Sequence, residues 1–268
     1  MTTQPPDPRF LPLDAAAFPA GDYVSPGLRL IRPDECFPFM AIVPDRTQIT
    51  WPYFRGWIPH TYRCDRRLPT IGFVSRDEAH LLYNTALLCR GQPALEIGCW
   101  MGWSSCHIAL AGVDLDVVDP LLGRPDVQQS VAASLQAARL SGRVRLLADR
   151  SPEAVLRLHQ TEQLRWGFIF VDGNHDRPGP LQDAQAAHVV AAPNAMVLFH
   201  DLVSPEVAEG LNYLRDQGWH TLIYQTVQIM GVAWRGAAKP LTHVPDPQVA
   251  WSLPSHLASY RVANGDPI

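Results

Sequence analysis

Ala94-Leu95-Glu96-Ile97-Gly98-Cys99-Trp100-Met101-Gly102-Trp103-Ser104-Ser105 decides how this chain is read. A short apolar run carries one acid. Two glycines follow, four positions apart, and a helix-forming segment begins behind them. That is a strand, a tight turn and a helix start, the place where an open α/β sheet binds nucleotide-like ligands beyond the carboxyl ends of its strands. The spacing is Glu-x-Gly-x-x-x-Gly, without the third glycine that serves a pyrophosphate. It points to S-adenosylmethionine (SAM), which has no pyrophosphate, and away from NAD.

Outward from this turn the chain alternates strands and helices. Ser75-Arg76-Asp77-Glu78 has the form of a capping box and predicts a helix through about Cys89. Strands are predicted at 94–98, 115–119, 144–148, 167–172 and 195–201, with helices between them. Ser151-Pro152-Glu153 and Ser204-Pro205-Glu206 both read as N-cap, proline at the first helical position and acid in the first turn. Two last strands, 220–225 and 228–235, are joined by too short a link for a parallel crossover, so they are expected to pair antiparallel. The expected fold is α/β: a doubly wound, Rossmann-like sheet of about seven strands, mostly parallel with an antiparallel final strand, and helices on both faces.

Proline sets the expected boundaries. Of the 25 prolines, 12 lie in residues 1–70 and five beyond residue 236. Residues 1–71 read as a proline- and aromatic-rich arm or cap, 72–236 as the SAM-binding catalytic domain, and 237–268 as a proline-rich tail. An apolar share of 47% over 268 residues allows a sizeable core. The formal net charge of -4 gives no reason to expect a nucleic-acid partner. No apolar run reaches the roughly 20 residues of a membrane span, and Met1-Thr2-Thr3-Gln4-Pro5-Pro6 lacks the basic and apolar regions of a signal peptide. Five scattered cysteines without a Cys-x-x-Cys pair suit a reducing compartment. A cytoplasmic enzyme is expected, with oligomeric state left open, homo-oligomers included.

The expected cofactor residues follow the strand ends. Gly98 permits the sharp turn and Gly102 a close approach of helix and ligand, with Cys99 between them. Glu96 is placed to face the ammonium of the methionine moiety, directly or through water. Asp119 ends the next strand, 21 residues after Gly98, where a carboxylate accepts from both ribose hydroxyls. Asp149, ending the third strand, is expected to reach the adenine amino group, and Ser151 either to join it or to cap its helix.

The lines Glu96–Ser105, Phe170-Val171-Asp172-Gly173-Asn174-His175 and Leu198-Phe199-His200-Asp201 resemble class I SAM-dependent methyltransferases. Within them they are similar to the branch of natural-product O-methyltransferases, the macrocin-type and cephalosporin-hydroxylase-like group. The resemblance covers about residues 72–236. It implies methyl transfer to a hydroxyl of a small molecule.

Asp172, His175, His200 and Asp201 close the fourth and fifth strands, which this fold sets side by side. A methyl acceptor oxygen must lose its proton, and two devices offer this. A histidine, His175 or His200, acts as general base, or a divalent cation lowers the acceptor's pKa. Metal-dependent relatives place an acid after strand four and an acidic pair after strand five, which implies Asp172, His200 and Asp201 as ligands for Mg²⁺ or Mn²⁺. His200 stands where such relatives often have a second acid, which argues against a hard-metal site. Asp183, on the next helix, is a candidate hydrogen-bond partner for His175. The aromatic stretch Trp51–Arg63 reads mostly as hydrophobic cover, and residues from about 45 to 65 are expected to form part of the acceptor pocket or a dimer contact. Two rival readings stay open: other chemistry on the same fold, and a non-catalytic subunit that binds SAM or a partner.

Overall fold

The computed structural model describes residues 22–43, 55, 57–58 and 61–265. Ten strands and six α-helices follow in chain order: β1 (Met40–Val43), β2 (Tyr62–Asp65), β3 (Leu68–Phe73), α1 (Arg76–Leu88), β4 (Ala94–Ile97), α2 (Trp103–Leu110), β5 (Leu115–Val118) and α3 (Pro125–Ala137). Then come β6 (Val144–Leu147), α4 (Glu153–Glu162), β7 (Trp166–Val171), α5 (Gly179–Val190), β8 (Ala191–Phe199), α6 (Pro205–Asp216), β9 (His220–Tyr224) and β10 (Met230–Arg235).

Seven strands form one sheet in the order β6-β5-β4-β7-β8-β10-β9. β4 to β8 pair parallel, and β10 pairs antiparallel with both β8 and β9. This is the doubly wound sheet expected. Strands such as Trp166-Gly-Phe-Ile-Phe-Val171 are buried along their whole length, as a sheet covered on both faces requires. Their side chains divide by alternation: Phe168 and Phe170 join the core under α1, α2 and α3, whereas Ile169 and Val171 join the core under α4, α5 and α6.

Register builds the site. Leu147, Val118, Ile97, Val171 and Phe199 are partners in one row across β6, β5, β4, β7 and β8. The residues that follow each of them therefore share one edge. The ladder runs one step further there: the N–H groups of Gly98, Asp119, Asp172 and His200 donate to the carbonyls of Val118, Leu147, Ile97 and Val171. Gly98 sits at φ +83°, and a Cβ on it would lie 2.1 Å from the carbonyl oxygen of Asp172. Only glycine allows the β4 turn to pass that close to the end of β7.

Before the large sheet lies a three-stranded antiparallel sheet, β1-β2-β3, within the stretch expected to be an arm. Its prolines hid the strands, since β3 itself reads Leu68-Pro-Thr-Ile-Gly-Phe73 and proline fits an edge strand. Trp103 of α2 ties it down, with ring centroids 5.1 Å from Phe37 and 6.0 Å from Phe73. Buried ion pairs add to this: Arg63 with Asp22, and Arg76 with Asp34 at 2.6 Å. The capping box of α1 is present, Ser75 Oγ accepting from the Glu78 N–H and Glu78 from the Ser75 N–H. At Ser151 the expected cap is absent: α4 begins at Glu153 behind Pro152, with no side-chain cap. Most of Trp51–His60 lies outside the described residues.

Replacing Gly98 with Ala is expected to destabilise the protein by about 3 kcal/mol or more, through left-handed strain and overlap with the Asp172 backbone. Chemical denaturation measures it, and a stability equal to wild type contradicts the close approach.

Candidate active site

A cavity of about 620 Å³ opens along the shared strand edge. Its wall takes Gly98 and Trp100 from the β4 turn, Asp119 from β5, and Arg150 and Ser151 after β6. Asp172, Gly173 and His175 follow β7, and His200 and Asp201 follow β8. The small sheet and the β9–β10 turn close the other side with Tyr62, Phe73, Val74, Val227 and Gln228.

Asp119 holds the floor. One carboxylate oxygen accepts from the N–H groups of Cys99 at 2.8 Å and Trp100 at 3.0 Å, the other from Leu121 at 2.7 Å. These bonds shape the β4 turn and hold Trp100 at φ +46°. Other residues of the quoted stretch lie behind the turn. Cys99 is 4% exposed and off the cavity wall. Gly102 starts α2 at φ +81° and gives room to Val131 of α3. Glu96 is fully buried and off the wall, and it accepts from Ser105 Oγ. Burial pushes its carboxyl up to about 8, and the Asp172 and Asp119 carboxylates oppose its charge further.

Asp149 corrects its expected place. It is off the wall because its carboxylate turns to Arg157 of α4 and to the N–H of Arg150. Ser151 and Asp183 are both on the wall, and Ser151 is among the groups that act on the Asp183 carboxyl.

At the far end four acidic and imidazole groups converge. His200 Nδ1 lies 3.1 Å from Asp201 Oδ2 and 3.3 Å from Asp172 Oδ1, and its Nε2 lies 3.3 Å from Glu78 Oε2. Burial alone would lower this imidazole's pKa, but the three carboxylates raise it well above the ordinary value. The three carboxylates favour the charged imidazole of His200, and the donor atoms that come together as a possible metal group are those of Asp172, His175 and Asp201. Burial works against the charged Asp172 and Glu78 carboxyls too, yet His200 leads the contacts that hold both below the usual carboxylate range.

His175 completes the group. Its Nε2 is 3.6 Å from Asp172 Oδ1 and 3.5 Å from Asp201 Oδ2. Burial lowers its pKa, and the two carboxylates outweigh that and raise it. One donor atom each from Asp172, His175 and Asp201 lie within 4.8 Å of one another. Two carboxylate oxygens and an imidazole nitrogen fit a divalent ion of the Mn²⁺, Fe²⁺ or Zn²⁺ kind, with His175 in the place expected for His200.

Glu78 and Gln228 are the site residues that sequence reading missed. Glu78 looked complete as a capping-box acid, but its Oε1 also accepts from the Gln228 N–H at 3.0 Å. Gln228 Nε2 donates to Asp201 Oδ1 at 2.9 Å, and the Arg55 N–H donates to Gln228 Oε1 at 3.4 Å. Arg55 guanidinium also donates to the carbonyls of Thr226 and Ser252 at 3.2 and 2.8 Å. Segments on both sides of the large sheet are thus tied to the reaction end.

Comparisons with known proteins agree with this fold. Residues 95–202, from β4 to just past β8, match a family model described as a methyltransferase domain. The match spans the parallel strands of the large sheet. The chain is similar to the O-methyltransferase TomG from Streptomyces achromogenes, involved in tomaymycin synthesis and solved in complex with SAM. That likeness has 20% identity and a TM-score of 0.52 over 61% of this chain and 82% of the other. It is also similar to an O-methyltransferase from Bacillus cereus solved with S-adenosylhomocysteine (SAH), at 15% identity and a TM-score of 0.53 over 61% and 83%. At these identities the likeness is one of fold. No curated protein matches the chain. Among the described residues no helix is long and apolar enough to cross a membrane.

Two predictions follow from the electrostatics. A buried carboxyl raised to about 8 binds its proton more tightly in the folded than in the unfolded chain, so it subtracts stability as pH rises from about 4.5 towards 8. Glu96→Gln is expected to be more stable than wild type by about 2 kcal/mol at pH 8, with the gap closing near pH 4. Denaturation at the two pH values checks this, and a gap independent of pH contradicts a neutral Glu96. His200→Asn leaves three carboxylates, those of Glu78 and Asp201 buried, without their cation and is expected to cost about 3–5 kcal/mol at pH 7. An unchanged midpoint of urea unfolding contradicts the bridging role.

Proposed function

We propose that the protein transfers the methyl group of SAM to a hydroxyl of a small molecule. The observation that carries this reading is a single cavity with Asp119 at one end and the Asp172–His175–Asp201 group at the other. Asp119 binds the ribose hydroxyls with lone pairs left beside its three backbone donors. Gly98 and Trp100 bring the turn against the ligand, with the buried Glu96 behind it. The acceptor enters over Tyr62, Phe73, Val74 and Val227.

Methyl transfer is an in-line displacement. The acceptor oxygen forms a bond to the methyl carbon, the carbon–sulfur bond breaks, and SAH leaves with the electron pair on sulfur. Alignment supplies much of the rate. The oxygen's proton goes to His175. Its Nε2–H faces Asp172 and Asp201, the arrangement that orients an imidazole so that its other nitrogen accepts a proton. His200 is a positioning residue that keeps both carboxylates in place. A second reading is favoured by the closeness of the Asp172, His175 and Asp201 donor atoms. These residues would hold a divalent cation, which when bound lowers the pKa of an acceptor oxygen.

Turnover of labelled SAM against panels of phenols and sugars tests the function. Label transfer to an acceptor hydroxyl is expected; SAM binding without transfer favours a non-catalytic subunit, and conversion without methyl transfer favours other chemistry on this fold. Asp119→Ala is expected to weaken SAM binding by ~1–3 kcal/mol. His175→Gln is expected to lower kcat by ~10²–10⁴-fold with SAM affinity retained, and an unchanged kcat contradicts the base. Activity undiminished by EDTA removes the cation reading.

A further inference from the structure

We propose that Asp183, on the second turn of α5, recognises the exocyclic amine of the cofactor's adenine, with Ser151 holding its carboxylate in place. The inference rests on the SAM reading of the cavity and assigns the residue that selects the base.

Asp183 is 2% exposed, yet it is on the cavity wall. The groups that act on it are the Ser151 hydroxyl, which favours its charged form, and the Glu153 carboxylate, which repels its charge. Among the described residues no basic side chain pairs with it. Burying a carboxyl in this way is costly unless a donor meets it, and Ser151 supplies one where a carboxylate accepts several. Burial pushes its pKa up to about 6, so at neutral pH it is an acceptor in want of donors.

The wall beside it is left open by a glycine. A Cβ on Gly173 would lie 3.3 Å from Asp183 Oδ2, so the bare glycine leaves the carboxylate open on that side. Ser151 and Pro152 follow β6, and Gly173 and Asn174 follow β7. Asp119 ends β5, the strand that pairs directly with β6. A nucleoside with its ribose on Asp119 has its base towards this end of the cavity. Adenine's only N–H donor is its 6-amino group. Asp149, the carboxylate that follows β6, is turned away to Arg157. Asp183 reaches the same place from a helix on the far side of the sheet.

The test is calorimetric titration of the full chain with SAH and with S-inosylhomocysteine, which carries an oxygen in place of the amine. Wild type is expected to bind SAH at least ~10-fold tighter, the scale for one hydrogen bond to a charged group. In Asp183→Ala the ratio is expected to fall to within about threefold, with SAH still bound. Asp183→Asn, which keeps the shape, is expected to lower the ratio too and stands in if the alanine variant does not fold. Equal binding of both ligands by wild type, or a wild-type ratio in a folded Asp183 variant, overturns the inference alone. Failure of wild type to bind either ligand overturns the SAM reading and this inference with it.

Discussion

One imidazolium holds the reaction end together. His200 stands among Glu78 of α1, Asp172 after β7 and Asp201 after β8, all within 3.3 Å of its ring nitrogens. Without that cation the carboxylates would repel one another in a buried space, where charges are poorly screened. With it, three elements are fixed at one point, and Gln228 adds the β9–β10 turn through bonds to Glu78 and Asp201. His175 can then face two carboxylates whose positions are set. The geometry that prepares a base or a divalent-ion site is thus a result of charge balance.

The cofactor end depends on backbone instead. A row of paired strand residues brings five chain ends to one edge, and Gly98 lets the turn after β4 approach the end of β7. Asp119 then stitches that turn to β5 through two N–H donors. A carboxylate already gripping the turn is rigid before any ligand arrives, which lowers the ordering cost of binding.

Much of this was legible in the chain. The parallel strands announce themselves as short apolar runs ending in glycine or acid, and the Ser75–Glu78 box, the antiparallel finish and the gathering of Asp119, Asp172, His175 and Asp201 all follow from pattern and fold. The small sheet was hidden by proline at positions that happen to suit an edge. Asp149 is off the cavity wall and Asp183 is on it, because side-chain direction beyond a strand end depends on partners, such as Arg157 for Asp149, that no periodicity encodes. Glu78 carried two signals in one residue: a capping acid in sequence, and a buried partner of His200 in space. His200 looked like a base because nothing local reveals how many carboxylates surround it.

The most direct measurement is a crystal structure of the protein with SAH. The account predicts the ligand in the 620 Å³ cavity, its ribose hydroxyls on Asp119 and its sulfur towards His175. SAH bound away from Asp119, or with its sulfur turned from the Asp172–His175–Asp201 group, contradicts it.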